Sequence, residues 1–266
     1  MKEGFLQARG IAYRTNDFQS NRQTLVFIHG LSGSSSAWLP YEKNFENKYN
    51  LLTFDLRGHG KSKRWDTYED YDISKFSEDI VELLQYLRVE KCVLISHSFG
   101  TLVALTLLKM YPEKFSNAIF LSPVYNTDRL LFAHIKQLLP GLGACIALFF
   151  ALFRKPGRQT DYTKYTPTGD WNMRRIYADI SNTGPKSYLF SLGHLYAFSH
   201  EEWWKSILTP TLIVHGTRDS MVPLKNAVAL SKTIPNAHLI TLKNANHILV
   251  LNNVPEVSQA IENFIH

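Results

Sequence analysis

The sequence predicts an α/β protein: a mostly parallel central sheet flanked by helices, with a helical cap inserted between two of its strands. Three observations carry this reading. Short β-branched apolar runs alternate with stretches of helical period from Thr24 to Leu121, and again from Thr211 to the end. One of those runs passes straight into a helix with no loop between them. Between residues 123 and 206 the rhythm stops, and a segment rich in aromatic and basic residues takes its place. The domain expectation is therefore a core of residues 1–122 and 207–266, with residues 123–206 as the cap.

In chain order, Lys2–Gln7 and Gly10–Thr15 read as an antiparallel edge hairpin turning at Ala8, Arg9 and Gly10. Thr24–Ile28 is the next strand and runs into His29-Gly30-Leu31-Ser32-Gly33-Ser34. Tyr49–Phe54 follows and ends at Asp55-Leu56-Arg57-Gly58-His59-Gly60-Lys61-Ser62. Ile73, Phe76, Ile80, Leu83, Leu84 and Leu87 recur at helical spacing with acids outside, which predicts a helix over 73–87. Cys92–Ile95 is a buried strand, Thr101–Leu108 the apolar helix after it, and Ala118–Leu121 another strand. Beyond the cap come a strand at Thr211–His215, a helix over Leu224–Thr233, a strand at His238–Leu242 and a closing helix that starts with Pro255 at its first turn.

Between Ile95 and Thr101 stands Ser96-His97-Ser98-Phe99-Gly100. A strand that turns directly into a helix puts Ser98 at the apex of a sharp, strained turn, its hydroxyl clear of the sheet. The following helix aims its N-terminus at the same point, so the Phe99 N–H is placed to donate to a developing oxyanion. An acid, Asp219, follows the next-to-last strand, and a histidine, His247, follows the last. A serine hydroxyl is a poor nucleophile at neutral pH. It needs a base to take its proton and a carboxylate to hold that base in one tautomer. In a parallel sheet all three groups fall at the carboxyl edge, where ligands bind.

The chain resembles the α/β-hydrolase fold superfamily in its esterase/lipase branch, near the monoacylglycerol lipases and lysophospholipases. Ser96-His97-Ser98-Phe99-Gly100 is similar to the family's G-x-S-x-G elbow with serine at the first glycine. His29-Gly30 resembles its HG oxyanion loop, and Asp55-x-Arg57-Gly58-His59-Gly60-x-Ser62 its D-x-R-G-x-G-x-S turn. His215-Gly216-x-x-Asp219-x-x-Val222-Pro223 resembles its acid loop, and the order Ser98, Asp219, His247 is the family's order. Asn246 departs from it where a glycine commonly precedes the histidine. The resemblance implies a serine hydrolase with Ser98, Asp219 and His247 as catalytic residues and the N–H groups of Leu31 and Phe99 as the oxyanion hole. No cofactor and no metal are expected. A serine at the elbow argues against the dehalogenase and epoxide-hydrolase branches, which use an aspartate there.

Substrate information is expected in the cap. Leu142–Phe153 is an uncharged apolar run followed by Arg154, Lys155 and Arg158, too short to span a bilayer. It reads either as a cap helix buried on the core or as a lid that binds acyl chains and touches a membrane surface peripherally. His29, Phe149, Phe150, Tyr188, Phe190, Tyr196, Trp203 and Val222 are the expected substrate-binding residues, on a lipophilic small-molecule ester. Two other enzyme readings stay open, a C–C bond hydrolase and an enol-lactonase. So does a ligand-binding signalling receptor with slow turnover.

Composition bounds the rest. With 45% hydrophobic and 20% charged residues, the chain is an ordinary globular one. Its net charge of +6 is spread out with no long Lys/Arg block, which disfavours nucleic acid. No G-x-G-x-x-G follows a strand, and no His/Asp/Glu cluster has ligand spacing. The first residues carry charges through their short apolar patch, so secretion is not expected. Cys92 and Cys145 read as reduced thiols in a cytoplasmic protein. His29, His59 and His97 read as structural, and Asp55 as a turn organiser.

Overall fold

A computed structural model describes residues 1–124 and 157–266. Eight strands form one sheet: β1 (Lys2–Leu6), β2 (Ile11–Thr15), β3 (Thr24–Ile28), β4 (Asn50–Phe54), β5 (Cys92–His97), β6 (Phe115–Leu121), β7 (Thr211–Gly216) and β8 (Ala237–Leu242), in the order β1-β2-β4-β3-β5-β6-β7-β8. The β1/β2 and β2/β4 pairs are antiparallel and all other pairs parallel. The expected mostly parallel sheet is what the chain forms.

The inner strands are apolar at nearly every position because both faces are covered. Val26, Ile28 and Leu94 point into one core, shared with α2 (Ile73–Tyr86) and α3 (Gly100–Met110). Leu25, Phe27, Val93 and Ile95 point into a second, with α1 (Leu39–Phe45) and the closing helix. Helix α1 was not legible in the sequence: with Pro40 at its start and only seven residues, it spans about two turns, too few for a helical period to stand out. Asp72 caps α2 by accepting the Ser74 N–H at 2.9 Å. Arg57 grips Asp79 of α2 through two hydrogen bonds of 2.7 Å, which pins the turn after β4 to that helix.

β6 ends at Leu121 and β7, its parallel neighbour, begins at Thr211, so the described residues between them make an excursion from the sheet. Its described part is helical: α4 (Met173–Thr183), α5 (Pro185–Ala197) and α6 (Glu201–Trp204). After β7 come α7 (Leu224–Thr233), α8 (Leu249–Asn252) and α9 (Val254–Ile265). The Leu142–Phe153 run, with Phe149, Phe150 and the membrane-facing reading attached to it, lies outside the described residues, as does Cys145. Among the described residues no helix is long and apolar enough to cross a membrane. Cys92 is a free, buried thiol whose pKa burial pushes up to about 12, so it is inert as a nucleophile.

Strand order sets where a site forms. From β3 the chain moves one way to β4, then crosses back to β5 and continues the other way through β6, β7 and β8. The carboxyl ends of β3 and β5 therefore lie side by side where the winding reverses, and a crevice opens there.

Candidate active site

The tight join of β5 to α3 costs Ser98 a left-handed backbone, φ +51°, a strain of about 1–3 kcal/mol for a non-glycine residue. Packing holds it there: the Ser98 N–H donates to the Leu121 carbonyl at 3.0 Å. A Cβ on Gly100 would lie 2.7 Å from the His29 carbonyl oxygen, so only glycine lets α3 approach β3 this closely. Ser96 stands where that close packing also favours a small residue. Its side chain is fully buried, and its Oγ finds no hydrogen-bond partner among the described residues.

The loops after β7 and β8 bring Asp219 and His247 to the same edge. The Ser98 hydroxyl donates to His247 Nε2 at 2.9 Å, and His247 Nδ1–H donates to Asp219 Oδ2 at 2.8 Å. Asp219 Oδ1 accepts the N–H groups of Met221 and Val222 at 3.0 and 2.7 Å. Burial by itself pushes the Asp219 carboxyl up. The His247 ring, the Val222 N–H and His215 outweigh it and hold the group below its ordinary value, ionised. The three residues singled out in the sequence thus form one hydrogen-bonded line. Leu31 lines the cavity beside Ser98, and among the described residues the N–H groups of Leu31 and Phe99 donate to no turn or loop carbonyl.

The histidines read as structural, His29, His59 and His97, are tied to backbone. His29 Nδ1–H donates to the Gly30 carbonyl at 2.8 Å, and its Nε2 accepts the Leu56 N–H at 3.0 Å. His97 Nε2–H donates to the His247 carbonyl at 3.0 Å. His59 Nδ1–H donates to the Arg57 carbonyl at 2.8 Å. Burial drives His59 and His97 down to about 3, so both stay neutral near the triad. Linkage gives this a measurable sign. A histidine at about 6.5 when unfolded and about 3 when folded binds fewer protons in the native state between those values. Its stabilisation is full above pH 6.5 and is lost as pH falls toward 3. His59→Asn should therefore flatten the acid limb of unfolding free energy against pH, measured by urea titration, by up to about 1.4 kcal/mol per pH unit. An unchanged slope would show that His59 is already charged in the fold.

Ser98 and His247 line a cavity of about 450 Å³, the size range of a small-molecule site. His29, Tyr188, Tyr196 and Val222 line it too. Phe190 and Trp203 lie outside its lining. Phe190 sits two residues after Tyr188 on α5, about 200° round the helix, and packs edge-on against Tyr68 and Tyr71. Trp203 stacks on His200 at 4.1 Å instead. Much of the remaining wall is apolar, with Trp38, Val124, Ile176, Leu192, Met221 and Leu251 among it.

Sequence reasoning missed one polar part of that wall. Arg175 and Asp179 on α4 line the cavity, paired at 3.0 Å, and Asp179 also accepts from Thr160 Oγ1 at 2.8 Å and the Tyr162 hydroxyl at 3.0 Å. Burial raises the Asp179 carboxyl to about 6 despite Arg175. The available signal was the i,i+4 spacing of opposite charges on one helix.

Comparison with known proteins places this geometry in context. A family model described as alpha/beta hydrolase fold matches residues 23–254. A Stutzerimonas stutzeri protein with the provisional name carbamate hydrolase RutD is 27% identical over 236 residues, 84% of each chain. A thermophilic esterase from Thermogutta terrifontis, solved with malate bound, superposes with a TM-score of 0.76 at 16% identity, covering 96% of this chain and 92% of its own. The enol-lactonase of Burkholderia xenovorans LB400 also gives 0.76, at 18% identity over 99% of each chain. Identities this low carry the fold alone.

Proposed function

The chain belongs to the alpha/beta hydrolase fold family, and on that premise we propose that it is a serine hydrolase of carboxylic esters, acting through an acyl-enzyme on lipophilic substrates of the monoacylglycerol or lysophospholipid kind. The observation that carries this reading is the unbroken line Asp219–His247–Ser98 opening on a largely apolar cavity. Ser98 Oγ attacks the ester carbonyl carbon while His247 Nε2 takes its proton. The tetrahedral oxyanion is met by the N–H groups of Leu31 and Phe99. His247 then returns the proton to the departing alcohol, and water repeats the sequence in reverse to free the acid. Residues 123–206 act as a cap whose inner wall selects the acyl group, in a cytoplasmic enzyme that touches membranes peripherally at most.

An acyl-chain series tests the lipophilic part. Each buried methylene is worth roughly 0.8 kcal/mol, about fourfold, so kcat/KM for p-nitrophenyl esters should climb from acetyl to octanoyl and then level off. Leu192→Asp on the cavity wall should flatten that climb, with the longest esters losing most, because a carboxylate there resists burial. A strict acetyl preference in the wild type rejects the lipophilic reading.

One observation favours a second reading. The Arg175–Asp179 pair and the Tyr162 hydroxyl put charge and hydrogen-bonding capacity into a wall where a hydrocarbon tail has no use for them. An oxygen-rich substrate would use them, so an enol-lactone hydrolase or C–C bond hydrolase with the same triad moves ahead if acetyl esters win. Steady turnover after any burst separates either enzyme from a slow receptor.

A further inference from the structure

The catalytic histidine is held from outside the sheet. Asp170 belongs to the excursion between β6 and β7 and is buried, 6% exposed. Its Oδ1 accepts the backbone N–H of His247 at 2.8 Å. Its Oδ2 accepts both the N–H and the hydroxyl of Ser220, at 2.9 and 2.7 Å. Ser220 directly follows Asp219, so one carboxylate ties the loop that carries the triad acid to the loop that carries the triad base. Neighbouring contacts run the same way: the Thr168 carbonyl accepts from the side-chain amides of Asn246 and Asn252, both at 2.8 Å. From behind, Arg175 donates to the Asp170 carbonyl at 3.0 Å and also to Asp179 on the cavity wall.

From these contacts we propose that Asp170 is a positioning residue for the triad, seating His247 against both Ser98 and Asp219. The His247 peptide is held at two points, its N–H by Asp170 and its carbonyl by His97. Its ring is held at a third by Asp219. Without Asp170, a buried N–H would be left without an acceptor, which is unfavourable, and the loop would relax to recover one. A relaxation of about 1 Å at the base is enough to cost on the order of 10²-fold in rate. The charge type matters as well as the shape. Each Asp170 oxygen faces a backbone N–H, so an amide in its place must turn its own NH₂ toward one of them. Asparagine therefore cannot satisfy both loops.

The inference rests on Ser98 and His247 working as a hydrolytic pair, and its test has readouts that do not need an ester. Wild type, Asp170→Asn and Arg64→Ala are compared in kcat and KM, in the rate of fluorophosphonate labelling of Ser98, and in the far-downfield proton resonance of His247 Nδ1–H. Arg64 ties the excursion to the core elsewhere, donating to the carbonyls of Asn182 and Thr183. Asp170→Asn should lower kcat by roughly 10²-fold with KM within about threefold, slow labelling in parallel and shift or broaden the resonance. Arg64→Ala should lower Tm yet keep kcat within about twofold and leave the resonance in place. Unchanged kcat, labelling and resonance in folded Asp170→Asn overturn the proposal. So does an Arg64→Ala variant that reproduces every loss, because the effect is then general loosening. Should Asp170→Asn fail to fold, Asp170→Ser, with one hydroxyl acceptor, is measured in the same three ways, and the same losses support the proposal or their absence overturns it. A wild type that takes the label but turns over no ester sinks the ester reading alone, and labelling and the resonance still decide Asp170.

Discussion

Ser98→Ala is expected to abolish ester hydrolysis and fluorophosphonate labelling while the melting temperature stays near that of the wild type or higher. The size of the loss follows from the role. Without Oγ there is no covalent step, and what survives is the contribution of the oxyanion donors and of substrate binding. Removing a nucleophile from such a unit costs on the order of 10⁴-fold or more. The stability side follows from the contacts. Among the described residues, the Ser98 side chain hydrogen-bonds to His247 Nε2 alone, and the strained φ of +51° is imposed by the backbone and remains with alanine. The fold therefore gives up one partly exposed hydrogen bond, worth about 1 kcal/mol at most. Activity within tenfold of wild type would sink the assignment, and a collapse of Tm would mean that Ser98 is a structural residue.

What the sequence made legible, and what it did not, divides along the range of the interactions. Strands such as Thr24–Ile28 announce themselves as short continuous apolar runs and helices such as Leu224–Thr233 by the spacing of their apolar residues, both local signals. The elbow was legible because Ser96 to Gly100 leaves no spare residues, so chain connectivity alone forces the turn at Ser98. The acid and the base were legible from their places after β7 and β8. Nothing local marks Asp170. Its meaning comes from Ser220 and His247, 50 and 77 positions away, which only the packed fold brings to it. That Phe190 and Trp203 lie behind the cavity wall was not legible for the opposite reason: composition marked them as pocket aromatics, but which face of its helix an aromatic occupies depends on a rotation that composition does not encode. Arg175 and Asp179 sat between these cases, a charge pair visible as spacing whose burial was not.

Two aspartates at the same edge of the sheet separate the remaining ideas. Asp219 sends Oδ2 to His247 Nδ1–H, and its other oxygen takes two backbone N–H groups, so an amide there must either reverse the imidazole tautomer or break its own loop. With the wrong tautomer, Nε2 carries the proton and cannot accept one from Ser98. Asp219→Asn should then lower kcat by roughly 10⁴-fold with KM little changed. Asp55 also lies at a strand end and is fully buried, but its partners are different: the N–H and hydroxyl of Ser35, the Lys61 N–H and the Gln159 side chain, at 2.7–2.9 Å. It closes the turns after β3 and β4 and makes no hydrogen bond with His247. Asp55→Asn turns one acceptor into a donor facing N–H groups, at a cost of about 1–3 kcal/mol in unfolding free energy, with kcat changed by no more than about tenfold. Steady-state kinetics and urea unfolding of the two variants side by side give the answer. If Asp55→Asn lost the rate and Asp219→Asn only the stability, the proton relay would run through the turn after β4, and the line from Ser98 through His247 would not be the one that does the chemistry.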